Sequence, residues 1–270
     1  MRSRERQCES TEEGSRRAHE NRESERAWGR RRLLQALGGA AGLTAVGLHE
    51  STVVEVARAQ SDGNGSGQWS QQQKIAADDG DSDDSFGQSV SVSNDGATAV
   101  IAAFEDDDPN GDRAGSAYVF SRSDGSWSQQ QKLSASDGDI DDGFGVSVSL
   151  SNDGMTALIG AADIDERNDE SETAPGSAYV FTESGGSWSQ QQKLTPTDRD
   201  TADDFGREVS LSDDGTTALI GASGNDSAYI FTESGGTWSQ QQKLTASDGF
   251  FGVSVSLSGN GTTALIGADE

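Results

Sequence analysis

One hexapeptide, Trp-Ser-Gln-Gln-Gln-Lys, is written four times in this 270-residue chain, starting at Trp69, Trp127, Trp188 and Trp238. A Phe-Gly pair follows each copy, at Phe86, Phe144, Phe205 and Phe251. After each pair comes a Ser/Val-alternating run, an Asp-Gly or Asn-Gly turn, and an apolar run ending in Ala. A repeat of this size is a single supersecondary unit that cannot bury its own face, so neighbouring units must stack on one another.

The second unit can be read strand by strand. Phe144-Gly-Val-Ser-Val-Ser-Leu-Ser alternates apolar and small polar residues with the period of a half-buried strand. Asn152-Asp-Gly154 is a hairpin turn, because Asn and Gly accept positive φ. Thr156-Ala-Leu-Ile-Gly-Ala161 is a short apolar strand, Ser177-Ala-Tyr-Val-Phe181 a third, and Trp188 to Leu194 a fourth, reached through Glu183-Ser-Gly-Gly-Ser. Antiparallel units of four strands (A to D in that order) define an all-β fold, a β-propeller of about four blades. The apolar A and B strands suit the crowded centre and the Gln-rich D strand a solvent-facing outer edge. The four tryptophans are expected to seal neighbouring blades rather than to stack on sugars, and the Phe-Gly pairs to pack between blades, with Gly allowing close backbone approach.

The string Gln-Lys-Leu-Thr-Ala-Ser-Asp-Gly with Phe-Gly-Val-Ser-Val-Ser-Leu-Ser and Thr-Ala-Leu-Ile-Gly-Ala resembles the FG-GAP repeat, the blade unit of the integrin α-chain propeller and of many secreted microbial proteins. The Phe-Gly element is Phe86-Gly87, Phe144-Gly145, Phe205-Gly206 and Phe251-Gly252. The Gly-Ala element is Ala102-Ala103, Gly160-Ala161, Gly221-Ala222 and Gly267-Ala268. The resemblance implies binding and adhesion without one defined chemistry. Its repeats run about 69–126, 127–187, 188–237 and 238–270. The usual calcium loop of the family lies in the A–B hairpin. Here that hairpin is only Asn94-Asp-Gly96, Asn152-Asp-Gly154, Asp213-Asp-Gly215 and Asn260-Gly261, too short to cage an ion.

Strands A, B and D each appear four times and C three times. The repeats open on an orphan D strand, and the fourth stops after B. Three readings follow: a truncated chain, a partial propeller completed by another chain, or an open arc whose strand edges invite association.

Residues 1–59 form a separate leader. Arg30-Arg31-Arg32-Leu33-Leu34 opens a Gly-interrupted apolar stretch, and Val56-Ala57-Arg58-Ala59 has the form of an Ala-x-Ala cleavage site. Arg30 and Arg31 with the following leucines resemble a twin-arginine export motif. The chain is therefore expected to be secreted or held at the cell surface, with no membrane span after cleavage at Ala57 to Ala59.

Net charge is −26. The leader holds 11 Arg and 9 Glu, leaving 9 basic and 37 acidic residues in 60–270. Such a surface repels nucleic acid and anionic lipid and suits a haloarchaeal-like, high-salt setting. Cys8, His19 and His49 all lie in the leader, so the repeat region has no thiolate, imidazole base or Cys/His zinc site. A metal there would be a hard ion held by oxygens.

Aspartates fall at constant offsets before three Phe-Gly pairs: Asp79, Asp81 and Asp84; Asp137, Asp139 and Asp142; Asp198, Asp200 and Asp203. Alternating carboxylates in a Gly-containing loop are candidate Ca²⁺ ligands. These D–A loops share a rim with the acidic B–C loops Glu105 to Asp108 and Asp163 to Glu166, giving one strongly acidic face. Asn64, Asn225 and Asn260 head glycosylation sequons. The functional expectation is a secreted, non-catalytic recognition or adhesion module, with no required cofactor and a protein or carbohydrate ligand. The alternative is a carboxylate-dependent hydrolase of glycosidase type. A repeat fragment without autonomous function is a third reading.

Overall fold

The computed structural model describes residues 53–60, 68–107, 110–162, 176–198, 204–246 and 249–269. The chain divides into Met1–Leu48 and His49–Glu270, and all described residues belong to the second unit. Arg30, Arg31, Asn64, Asp200 and Asp203 lie outside the described residues, as does the Asp163 to Glu166 loop.

The architecture is three four-stranded antiparallel blades flanked by two half-blades. The first blade holds β3 (Val90–Val92), β4 (Thr98–Ala103), β5 (Ser116–Ser123) and β6 (Ser126–Leu133). The second holds β7 (Phe144–Leu150), β8 (Thr156–Ala161), β9 (Ser177–Ser184) and β10 (Ser187–Leu194). The third holds β11 (Phe205–Leu211), β12 (Thr217–Ala222), β13 (Ser227–Ser234) and β14 (Thr237–Thr245), with a 3-10 turn at Ser223–Asn225. The half-blades are β1 (Val54–Gln60) with β2 (Gln68–Ile75), and β15 (Ser254–Leu257) with β16 (Ala264–Gly267). Each blade follows the A–B–C–D order expected from the repeat.

Val54–Gln60 corrects the count of C strands. It pairs with β2 as C pairs with D in a complete blade: Val54 with Ile75, Glu55 with Lys74, Val56 with Gln73, Ala57 with Gln71. In the first blade the same places hold Ala117 with Leu133, Tyr118 with Lys132, Val119 with Gln131 and Phe120 with Gln129. The bulge falls at the same point in both, after Val56 and after Val119. The segment lacks the Ser-Ala-Tyr-Val-Phe signature, so sequence pattern does not mark it. The exposed edge of β2 and the apolar bed under Val54 and Val56 specify it instead.

The core lies between blades. Val100, Ala102, Ala117 and Val119 of the first blade join Val148, Leu150, Ala157 and Ile159 of the second in one buried cluster. Leu158, Ala178 and Val180 of the second join Val209, Leu211, Ala218 and Ile220 of the third in another. The B strands of the three complete blades are buried on both faces, as their apolar runs imply.

The two glycines of the repeat meet across this interface. A Cβ on Gly160 would lie 1.8 Å from the Gly206 carbonyl oxygen, and one on Gly221 would lie 2.3 Å from that of Gly252. The Phe rings turn mainly onto their own blade, packing edge-on against its C strand. Phe144 sits 5.5 Å from Tyr179 and 5.8 Å from Phe181, and Phe205 repeats this with Tyr229 and Phe231. Phe144 and Phe205 also belong to the buried clusters shared with the preceding blade, and the Gly beside each lets the backbones approach.

Candidate functional site

Four sets of polar contacts run from each blade to the next, and they account for most of the repeated polar residues. At the A–B turns, Asn94 N–H donates to Asn152 O, Asn152 N–H to Asp213 O, and Asp213 N–H to Gly259 O. Along the A strands, Ser89 and Ser91 hydroxyls accept from Val148 and Leu150 N–H, Ser147 and Ser149 from Val209 and Leu211, and Ser210 from Leu257. The Ser/Val alternation thus serves two purposes: one set of side chains packs and the other bonds to the neighbouring strand.

The three glutamines have separate tasks. The third brackets the backbone of the next blade's Trp. Gln73 does this to Trp127, Gln131 to Trp188 and Gln192 to Trp238, each donating to the Trp carbonyl and accepting from its N–H at 2.8 to 3.0 Å. The first reaches back: Gln129, Gln190 and Gln240 accept from the N–H of Asp78, Ser136 and Thr197 in the preceding D–A loop. The middle one is exposed, as Gln130 bonding Ser128 illustrates. Trp127, Trp188 and Trp238 are buried, as expected of packing residues, whereas Trp69 is exposed.

The acidic rim is built around the repeat lysines. Lys132 Nζ lies 2.9 Å from Asp79 and 2.7 Å from Asp106, and sits over the Tyr118 ring. Tyr118 donates its hydroxyl to Asp106 at 3.0 Å. Lys193 holds Asp137 at 2.7 Å over Tyr179, and Lys243 holds Asp198 at 2.6 Å over Tyr229. The D–A and B–C loops therefore do meet on one rim, as Asp79 and Asp106 show. The first Asp of each set is bound by an ammonium group of the following blade.

These pairs set the ionisation of the rim. For Asp79 and Asp137, burial works against the charge, but the hydrogen bond and positive charge of Lys132 or Lys193 outweigh it and hold both carboxyls below their ordinary value. Asp198 is lowered by the Lys243 hydrogen bond, and Lys243 is pushed up to about 12, chiefly by Asp198 and then Tyr229. Burial and then nearby Asp charges push the Tyr118 hydroxyl far up.

The last Asp of each set does different work. Asp84 and Asp142 turn back to accept the N–H of Asp81 and Asp139, closing the loop locally. Burial raises both carboxyls, and Asp106 and Asp81 add repulsion at Asp84. Among the described residues, no group of three or more acidic side chains is arranged to hold a metal ion. Asn225 gives its amide N–H to Tyr229, whereas Asn260 sits exposed in the last A–B turn.

Two participants escape sequence reading: the Tyr beneath each Lys, and Glu208. Glu208 takes the place of Ser89 and Ser147 on its A strand, and burial raises its carboxyl. The usable signal was the lysine: Lys74, Lys132, Lys193 and Lys243 are the four lysines of the chain, all at one repeat position.

The FG-GAP repeat model matches residues 69–120, 127–181, 188–235 and 238–270. No curated protein matches the chain. Solved structures with the same fold include a Lactobacillus plantarum protein (TM-score 0.53, 15% identity, covering 82% of this chain and 59% of that one). A 6-phosphogluconolactonase-like protein of Bacteroides uniformis gives TM-score 0.53 at 13% identity, covering 81% of this chain and 52% of that one. Kuenenia stuttgartiensis hydrazine synthase gives TM-score 0.50 at 12% identity, covering 74% of this chain and 62% of that one. The chain thus spans between about half and three fifths of each of these structures.

Proposed function

Because the chain belongs to the FG-GAP repeat family, we propose that it is an exported, non-catalytic recognition module. Arg30 and Arg31 direct its export, and it binds a protein or carbohydrate ligand on the acidic rim. One observation carries this reading: the rim carboxylates are equivalent from blade to blade. Asp79, Asp137 and Asp198 each hold the Lys of the next blade. A hydrolytic site is a single constellation of groups in distinct roles, and a set repeated in register supplies like copies instead. The excess of carboxylate over ammonium on this face favours ligands carrying basic groups. Among the described residues, no helix is long and apolar enough to cross a membrane.

The test combines binding and turnover. The purified chain is exposed to a glycan array and a set of cationic and anionic peptides in molar salt, and separately to a broad glycoside panel. Saturable binding that weakens when Asp139 and Asp107 become Asn, with no turnover, is the expected result. Hydrolysis of any glycoside that one Asp→Asn change abolishes would replace this reading with the hydrolase.

A further inference from the structure

Two of the three Asn-x-Ser/Thr motifs fall on described residues, and the fold treats them oppositely. Asn225 closes the 3-10 turn Ser223–Asn225. Its Nδ2 donates to the Tyr229 hydroxyl at 3.3 Å, and its Oδ1 is buried. Ser227, the hydroxyl residue of the same motif, is fully buried and donates to the Asn225 carbonyl at 2.9 Å. The amide nitrogen and the hydroxyl of this motif are both spent inside the blade. Asn260 and Thr262 are exposed in the A–B turn between β15 and β16. Asn260 Oδ1 accepts from Ser258 Oγ at 2.8 Å, from Thr262 N–H at 3.1 Å and from Thr262 Oγ1 at 2.8 Å. A backbone N–H can only donate, so the branch that faces it is the oxygen and Nδ2 is the other. Among the described residues that nitrogen has no hydrogen-bond partner.

We propose that Asn260 is a site of N-linked sugar attachment. The repeat explains how it arises. One side-chain oxygen completes this turn in other blades. Asp95 Oδ1 accepts from Ser93 Oγ at 2.6 Å and Ala97 N–H at 2.9 Å. Asp214 Oδ1 accepts from Ser212 Oγ, Thr216 N–H and Thr216 Oγ1 at 2.6, 3.1 and 2.9 Å. Asn260 Oδ1 makes the same set of bonds. The second branch of the side chain is not needed by the turn. In Asp95, Asp153 and Asp214 it is an oxygen, and in Asn260 it is a nitrogen.

The exposure belongs to the turn itself. Asp95, Asp153 and Asp214 are exposed as well, although each of their turns is bonded to the turn of the following blade, through Asn94 to Asn152, Asn152 to Asp213 and Asp213 to Gly259. The turn thus presents this position outward whether or not another blade packs beside it. It also presents it on a particular face. The A–B turns lie at the opposite strand ends from the D–A and B–C loops, so a sugar on Asn260 projects away from the acidic rim. It adds hydrated bulk on one face and leaves the proposed ligand face open.

The co-reactant is a sugar carried on a lipid phosphate. Nδ2 of Asn260 bonds to C1 of that sugar, the bond between C1 and the phosphate oxygen breaks, the lipid phosphate leaves with the electron pair, and Nδ2 gives up one proton. The amide carbonyl is unchanged, so Oδ1 keeps its three donors and the turn survives the modification. The proposal rests on the reading that the chain is exported, because this motif marks a surface loop of a secreted protein.

Mass spectrometry of the full chain tests this, expressed with its leader in a host that has twin-arginine export and transfers sugar to Asn-x-Ser/Thr. Trypsin separates the two motifs: Asn225 falls between Arg207 and Lys243, and Asn260 in the peptide that follows Lys243. The expected result, in chain recovered outside the cell, is sugar mass on the second peptide and none on the first. Two variants remove it without disturbing the turn, because sister turns already carry the new residues. Asn260→Asp reproduces Asp214, and Thr262→Ala reproduces Ala97. Both should lose the sugar and still unfold cooperatively, and Thr262→Ser should keep it. Exported chain with Asn260 unmodified, or converted to Asp with no sugar, overturns the proposal and leaves export standing. So does sugar on the Asn225 peptide alone, or sugar that persists in Thr262→Ala. Chain that stays inside the cell overturns the export reading, and this proposal with it.

Discussion

Replacing Gln131 by Ala removes both arms of one inter-blade bracket. Its Nε2 donates to the Trp188 carbonyl at 2.8 Å, and its Oε1 accepts from the Trp188 N–H at 2.9 Å. Trp188 is buried, so truncation leaves one donor and one acceptor of a buried peptide unpaired at the blade interface. Each unsatisfied group costs about 1 to 3 kcal/mol, and water entering the space left by the side chain offsets part of that. The expected loss is about 2 to 4 kcal/mol, a large share of the roughly 5 to 15 kcal/mol that holds a typical domain. Gln130 is the internal control. It is adjacent in sequence and chemically identical, but it is exposed and bonds only Ser128 on its own strand. Gln130→Ala should cost under about 0.5 kcal/mol. Urea unfolding in molar salt, with the slope of each transition compared, measures both. Losses for the two variants that agree within about 0.5 kcal/mol would refute the assignment of separate tasks to the glutamines.

Gly206→Ala should destabilise by about 3 kcal/mol by urea unfolding, because its Cβ would lie 2.1 Å from the Ser177 carbonyl oxygen at φ +96°. Gly235→Ala, at φ +61° with open space around it, should cost only about 1 kcal/mol; equal losses would reject the close approach as the cause. Lys243 is raised from 10.5 to about 12 in the folded chain. Its stabilisation is therefore complete below pH 10.5 and fades as pH climbs through about 12. Asp198, lowered from 3.8, contributes above pH 3.8 and is lost below it. Melting curves across both limits should show a shallower alkaline fall for Lys243→Gln than for the parent, and identical slopes would refute the pairing. Lys193→Met frees Asp137 from its ammonium partner. At constant ionic strength, Ca²⁺ should then raise the melting temperature of the variant more than that of the parent. An equal response would show that Lys193 does not compete with a cation for this loop.

The strands that make up complete blades were legible because alternation and turn chemistry act locally. Thr156–Ala161 and Trp188–Leu194 could be read directly, and the structure extends or confirms each by a residue at most. Val54–Gln60 was not legible. Val-Ala-Arg-Ala carries the small-residue spacing of a cleavage site, and a strand specified by its partner's edge leaves no alternation of its own. The aspartate offsets were visible, but their partners were not. Lys132 finds Asp79 across 53 residues and Lys193 finds Asp137 across 56, and no window of local pattern spans that distance.

The inter-blade contacts point one way along the chain, and this accounts for the composition of the ends. The turn N–H groups, the A-strand Ser hydroxyls, each third Gln and the first Asp of each set engage the following blade. A stack of this kind gains stability per interface and leaves the same unsatisfied set at its two termini whatever its length. Chains that end on a solvent-adapted cap replace those groups with polar residues. Here Trp69, Val90, Val92 and Leu265 remain apolar and exposed, and the outer face of β16 keeps the Ala-Leu-Ile-Gly run of an interior strand. Selection for solubility acts against such residues unless something covers them. The residues that seal one blade onto the next are therefore the same at the outer repeats as in the middle: Trp69 stands where Trp127 does, and Leu265 where Val100 does.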